Sequence, residues 1–456
     1  MITMKNWLSA IILGYAALLC VAPLTAQQAD YRAYEEIVDT RKIIGPLVGH
    51  VTDSTARIWA YAGPRTSPII LEVAAVQSSN NDAEAERFRT RLEKSPEPAE
   101  HHAVEFEVTG LSPSTTYSAA VRLLDDDEAV EVATFHTAPA AGEPAKFRMA
   151  VSSCFGGAYR RQHGRTMEVR GEYHNDSWQL LMDERPDLQL IIGDNVYADS
   201  NDYNHLWDAY MLERVNNRPF AEAVRTIPTY SVWDDHDYGP NNSDGTAKGK
   251  EGSLRVFNEV FANPPRPGDD DTPGIFTNFN YGGVDFFLLD GRYHRTPNEA
   301  RDTPEKRFLG KEQMKWLVKS LKASQSPFKL LVCGSTWMAS RSDGWRLFRH
   351  ERERLWDAIV ENDISGVVFV SGDVHRCDLQ WHPPEVDRAY YMPEIISSGL
   401  GSHGKYDRMG FVVTDFDLTQ KDPVMIAHVI DGTGTETVMR RVAASELQVR
   451  EPGDHD

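Results

Sequence analysis

The sequence is short of cysteine: four in 456 residues, at positions 20, 154, 333 and 377, too few and too scattered for a disulfide framework. It is short of positive charge too, with 48 Lys and Arg against 68 Asp and Glu and a net charge of -20. That imbalance excludes a general affinity for DNA, RNA or anionic lipid, whose phosphates it would repel. An anionic substrate then needs local positive charge, and bound cations are one source of it. Past residue 24 there is no apolar run long enough to cross a bilayer, no internal repeat and no low-complexity tract. What remains is a globular composition, 41% hydrophobic and 10% aromatic, on a chain long enough for about two to three domains.

Lys5 precedes an apolar run from Trp7 to about Leu24, and Thr25-Ala26-Gln27-Gln28 offers a small-residue cleavage point. Residues 1–26 therefore read as a signal peptide, with an uncleaved anchor as the alternative, and the chain as secreted or periplasmic. If Cys20 leaves with the leader, three cysteines remain, and in an oxidising compartment at least one is a free thiol. Residues 27–42 form a polar lead-in. From residue 43 to 139 short alternating runs such as Ala56–Ala60 and Ala103–Val108 predict a small β-sandwich. The stretch Val108-Thr109-Gly110-Leu111-Ser112-Pro113 leading to Tyr117 is similar to the tyrosine corner of fibronectin type III-like sandwiches. Residues 77–102 read as a polar loop on that domain.

After the Pro/Ala/Gly linker at Ala138–Pro144, strands alternate with amphipathic helical stretches, which predicts an α/β domain over 145–440 and a polar tail over 441–456. Helices are expected at Asn175–Glu184, Tyr203–Arg214, Leu309–Ala323 and His350–Asn362. Four apolar runs end in a candidate metal ligand. Phe147–Ser153 ends at Cys154, and Leu188–Ile192 at Asp194, with Tyr197 and Asp199 just beyond. Pro228–Trp233 ends at Asp234-Asp235-His236-Asp237, and Gly366–Ser371 at Asp373 and His375. Open α/β sheets present ligands from the carboxyl ends of their strands, so these groups should converge on one edge. Apposed carboxylates cannot all stay ionised without counter-cations, which points to metal rather than a structural polar cluster.

The donor types narrow the metal. Thiolate and phenolate beside carboxylates favour ferric iron, whereas Asp and Asn oxygens suit Ca²⁺, Mg²⁺ or Mn²⁺; zinc stays open. Cations a few ångströms apart would clamp a phosphoryl group and acidify a bridging water. His236, set among acids, suits a general acid for a leaving alkoxide, the alternative being a buried histidine bonded to Asp235 or Asp237.

Ser153-Cys154, Gly193-Asp194-x-x-Tyr197, Trp233-Asp234-Asp235-His236-Asp237 with Asn241-Asn242, Asp290-x-Arg292-Tyr293 and Ser371-Gly372-Asp373-x-His375 together resemble the alkaline phosphatase D (PhoD-like) family of calcineurin-like metallophosphoesterases. The resemblance spans roughly residues 43–435. It implies a four-layer αββα catalytic domain behind the sandwich, holding Fe³⁺ and Ca²⁺. It also implies that Cys154 and Tyr197 bind the iron and Asp194 bridges, with Asp235, Asp373, His375 and Asn242 (or Asn241) completing the metal set. His236 would be the catalytic histidine and Arg292 a phosphate clamp, a plain salt bridge being the alternative for Arg292. Asp234 and Asp235 are not told apart by spacing, and His403 is either part of a site loop or simply exposed. The expected activity is hydrolysis of a small-molecule phosphate mono- or diester by a metal-bound hydroxide. The rivals are a phospholipase D-like diesterase, a non-phosphate ester hydrolase on the same metals and a non-catalytic surface binder. No nucleic-acid-binding domain is expected, nor a transmembrane helix once the leader is cleaved.

Overall fold

The computed structural model describes residues 43–63, 67–78, 88–97, 103–156, 159–162, 165–169, 176–266, 272–401 and 409–450. The expected signal peptide, the lead-in and His403 lie outside these residues. Strands β1 (Ile44–Val51), β2 (Thr55–Tyr61), β3 (Ile69–Ser78), β4 (Arg89–Lys94), β5 (Ala103–Thr109), β6 (Thr115–Leu123) and β7 (Asp126–His136) form two antiparallel sheets, β1-β2-β5 and β4-β3-β6-β7. Alternation does the folding here: Thr115, Tyr117, Ala119, Val121 and Leu123 of β6 are buried while the residues between them are partly exposed. The Tyr117 hydroxyl accepts the Ser112 amide at 2.8 Å, closing the expected corner. The loop expected over 77–102 contains β4 instead. Its side chains are almost all polar and mostly exposed, so its pairing with β3 leaves no hydrophobic alternation to read.

The chain continues through β8 (Lys146–Ser152), the hairpin β9 (Tyr159–Gln162) and β10 (Arg165–Val169), α1 (Asp176–Asp183), β11 (Leu188–Ile192), α2 (Tyr203–Asn216), α3 (Arg218–Thr226) and β12 (Thr229–Val232). Then come α4 (Asp235–Tyr238), α5 (Lys250–Val260), β13 (Thr277–Tyr281), β14 (Val284–Leu288), α6 (Lys311–Ala323), β15 (Lys329–Val332), α7 (Arg349–Glu361) and β16 (Val367–Ser371). β17 (Cys377–His382), β18 (Met392–Ser397), β19 (Gly410–Asp417), β20 (Val424–Asp431) and β21 (Glu436–Ala443) close the fold. β21 crosses the tail boundary expected at residue 440. Beyond it Leu447 is buried and its carbonyl accepts the Gly366 amide at 2.8 Å, so this stretch is part of the domain.

Two six-stranded sheets result, ordered β12-β11-β8-β19-β20-β21 and β13-β14-β15-β16-β18-β17. In the first, β12, β11 and β8 are parallel, and in the second β14, β15, β16 and β18 are. β11 and β16 are buried at every position, which is why they read as unbroken apolar runs. The sheets meet face to face through Phe147 against Tyr281 and Phe328 against Phe416, and the Ser397 hydroxyl donates across to the Val151 carbonyl at 2.5 Å. Helices cover the outer faces: Trp178 of α1 packs on Phe155, Trp316 of α6 on Phe287 and Trp356 of α7 on Tyr390. This is the expected β-sandwich followed by a layered α/β domain. No helix among the described residues is long and apolar enough to cross a membrane.

The sandwich is bolted to the edge strand β12 and to α5. The Tyr230 hydroxyl takes the Val51 amide at 3.2 Å, and the Trp59 indole donates to the Glu259 carbonyl at 2.7 Å. Asn263 closes the open edge of β12, accepting from the Ser231 amide at 2.9 Å and donating to its carbonyl at 2.8 Å.

Candidate metal centre

Seven parallel strands, three from one sheet and four from the other, end at one rim, and each is followed there by a polar side chain of the candidate site. β8 gives Cys154, β11 Asp194, β12 Asp234 and Asp235, β14 Arg292, β15 Ser335, β16 Asp373 and His375, and β18 Ser398. The turns are tight. Of the ten described non-glycine residues with positive φ, six belong here: Cys154, Asp194, Asp199, Asn242, Asp373 and His375. Such backbone persists only where the surroundings hold it, and it aims the side chain that follows each strand inward. Gly193 (φ +95°) shows how closely the turns approach, since a Cβ there would lie 2.6 Å from that of Asp234.

Cys154, Asp194 and His375 bring their ligand atoms within 4.8 Å of one another, as do Asp194, Asp235 and His236. Asp194 is common to both groups. The Cys154 sulfur lies 3.3 Å from Asp194 Oδ2 and 3.1 Å from the Ser398 hydroxyl, and the Tyr197 hydroxyl lies 3.1 Å from His375 Nε2. Asp194 Oδ1, Asp234 Oδ2 and Asp235 Oδ1 are buried and accept no hydrogen bond. An unpaired buried carboxylate oxygen is costly, and those of Asp194 and Asp235, gathered with a thiol and two imidazoles, are a donor set that fits cations. Burial and the repulsion of Asp235 and Asp234 push Asp194 well above the usual carboxylate range. Burial, with Asp234, Asp235 and Asp343 nearby, does the same to Asp373. Burial also raises the Cys154 thiol and the Tyr197 phenol. Metal binding here would displace protons.

His236 is held differently. Burial opposes its charge, but Asp194, the hydrogen bond from Nδ1 to Asp199 Oδ1 at 2.5 Å, and Asp235 outweigh it and push the imidazole up to about 10. Its partner is thus Asp199, not the neighbouring Asp235 or Asp237. Asp237 turns away, accepting the Val196 and Asp234 amides, each at 3.0 Å, and so fixes the β11 and β12 turns to each other.

Arg292 is wholly buried, and its guanidinium donates to Asp234 Oδ1 at 2.6 Å, Asp343 Oδ2 at 2.5 Å and Ser335 at 3.2 Å. The salt bridge, rather than an open clamp, is the arrangement present. Asp234 is the carboxylate it engages; Asp235 instead takes the Asn242 amide on Oδ2 at 2.7 Å. Asn242 approaches through its backbone and is itself exposed. Asp373 is in neither three-residue group, although its charge is felt by Cys154. Sequence reasoning missed Asp343, Arg295 and Ser335, and offered Ser398 only as part of a possible site loop, Ser397-Ser398-Gly399 followed by Gly401-Ser402-His403. Only Ser335 and Ser398, each just past an apolar run, carried a signal that the strand-end rule would find.

Facing mixed sheets with this rim of acids, thiol and imidazoles define a metallophosphoesterase-type domain behind a β-sandwich. A model of the PhoD-like phosphatase family matches residues 149–428, more than half of the chain, and the chain belongs to that family. Alkaline phosphatase D of Bacillus subtilis (strain 168) is 25% identical over 348 residues, 64% of this chain and 57% of the relative, so the match spans little more than half of that protein. A solved structure of PhoD superposes with a TM-score of 0.65 at 17% identity, covering 89% of this chain and 92% of that one. A purple acid phosphatase, PPD1 from yellow lupin (Lupinus luteus) seeds, gives 0.59 at 13% identity, covering 89% of this chain and 75% of that one. These two likenesses concern the fold.

Proposed function

We propose that the chain is an exported, metal-dependent phosphoesterase acting on small phosphate mono- or diesters. The observation that carries this is the pair of partnerless buried carboxylate oxygens on Asp194 and Asp235, gathered with Cys154, His236 and His375. In this reading Cys154, Asp194, Tyr197 and His375 hold one cation, suited to Fe³⁺. Asp194 and Asp235, with Asp373 and Asn242 alongside, hold the other, suited to Ca²⁺. Cations there supply charge neutralisation for phosphoryl oxygens and a water acidic enough to attack at neutral pH. His236 has Nδ1 committed to Asp199, so proton donation to the leaving alkoxide falls to Nε2. Arg292 serves as the fixed countercharge of Asp234 rather than as a substrate contact.

The test is turnover of p-nitrophenyl phosphate and bis-p-nitrophenyl phosphate by chelator-stripped protein resupplied with Fe³⁺ and Ca²⁺. Wild type should release p-nitrophenol, and His236→Ala should lose about 10²–10⁴-fold while keeping its metal. A visible absorption that fades in Tyr197→Phe supports iron. No hydrolysis with any of Fe³⁺, Ca²⁺, Zn²⁺, Mn²⁺ or Mg²⁺ would sink the proposal.

A further inference from the structure

A third group of carboxylates, Asp234, Asp235 and Asp343, also gathers within 4.8 Å. Its centre is filled by protein, because Arg292 enters it. The Arg292 Nη2 is 2.5 Å from Asp343 Oδ2 but 3.7 Å from Asp235 Oδ1. That second oxygen is buried and accepts no hydrogen bond. Asp343 is itself pinned from the other side: its Oδ1 is paired with Arg295 and takes the Asn298 amide at 2.7 Å. Arg295 in turn donates to the Gly291 carbonyl and to Ser335, each at 2.6 Å. All of these groups except the Asn298 side chain are essentially without solvent contact, so water cannot substitute for a lost partner.

We propose that Asp343 is a positioning residue that holds the Arg292 guanidinium off the open oxygen of Asp235, leaving that oxygen for a cation. The inference rests on the reading of Asp235 as a metal ligand. Guanidinium and metal want the same lone pairs. With Asp343 neutralised, Nη2 loses its shortest bond, and the unsatisfied acceptor on the neighbouring carboxylate, Asp235 Oδ1, stands about 0.5 Å beyond hydrogen-bond reach. A small rotation closes that gap, and the arginine then competes with the cation. The device is an internal cation kept from occupying its neighbour's site by a third carboxylate.

The experiment is Mn²⁺ binding to the chelator-stripped full chain, with free Mn²⁺ read by electron paramagnetic resonance. Asp343→Asn should bind about tenfold more weakly or worse, the range found when groups supporting a metal ligand are lost. Removing one negative charge would weaken any cation site, so the control is Asp343→Asn combined with Arg295→Met, which restores the net charge but leaves Arg292 free. Weak binding that persists in the double variant supports the inference. Wild-type affinity in Asp343→Asn, or recovery in the double variant, overturns it. If Asp343→Asn does not fold, Asn298→Ala loosens the same carboxylate and should weaken Mn²⁺ binding about two- to threefold; unchanged affinity overturns the inference there as well. A wild-type protein that takes no Mn²⁺ overturns the metal centre itself, which is a different outcome from wild type and Asp343→Asn binding equally.

Discussion

Asp194, Asp234 and Asp235 each have one buried oxygen left over, and the commitments of the rim acids differ. Asp234 gives an oxygen to Arg292 and Ser335, Asp235 to the Asn242 amide, and Asp199 to His236. The last pairing makes a titration prediction for the metal-free protein. A histidine held protonated up to about 10 contributes stability that is complete below its ordinary value of 6.5 and lost as pH rises through about 10. Asp199→Asn removes a charged acceptor at 2.5 Å, so the midpoint of His236 should fall and the high-pH loss of stability should begin earlier. Imidazole resonances followed by NMR between pH 5 and about 11 give the midpoint directly. An unmoved midpoint would show that Asp194 and Asp235 alone hold the proton.

The elements matter because their ends, not their faces, carry the candidate ligands. β11 and β12 must bring their terminal turns close enough for Asp194 to reach Asp235, and Gly193 permits it. Gly193→Ala meets two penalties, a positive φ and a Cβ 2.6 Å from that of Asp234. Gly142, also at positive φ but with nothing within 4 Å, isolates the first. Gly142→Ala should cost about 1 kcal/mol in denaturant unfolding, and Gly193→Ala about 1–3 kcal/mol more, with Mn²⁺ affinity reduced only in the latter. Equal losses of stability, with affinity kept in both, would mean that the turn relaxes without moving the ligands. These strand ends were legible in the sequence because strands buried on both faces leave an apolar run whose last residue is easy to find. Asp343 was not legible. It lies in the irregular stretch between β15 and α7, and only its contacts with Arg292 and Arg295 give it meaning. β4 was hidden for the opposite reason, being a regular strand made of polar residues.

At the scale of the whole molecule, charge explains the division of labour. A chain of net charge -20 concentrates Asp194, Asp199, Asp234, Asp235, Asp237, Asp343 and Asp373 at one rim, against Arg292, Arg295 and two histidines. The surplus of negative charge is tolerable only with cations or with protons, and protons give way as pH rises. The sandwich supports this arrangement from outside: Tyr230 and Asn263 fix the edge strand that carries Asp234 and Asp235, and no group of metal-ligating side chains was found among the described residues of the sandwich itself. The decisive measurement is anomalous diffraction from crystals of the full chain soaked in Mn²⁺. Peaks about 2.0–2.6 Å from the side chains of Asp194 and Asp235, with Cys154 or His375 on the neighbouring ion, are the expected result. Manganese bound elsewhere, with Asp194 and Asp235 still bare, would contradict a shared cation centre at the meeting of the two sheets.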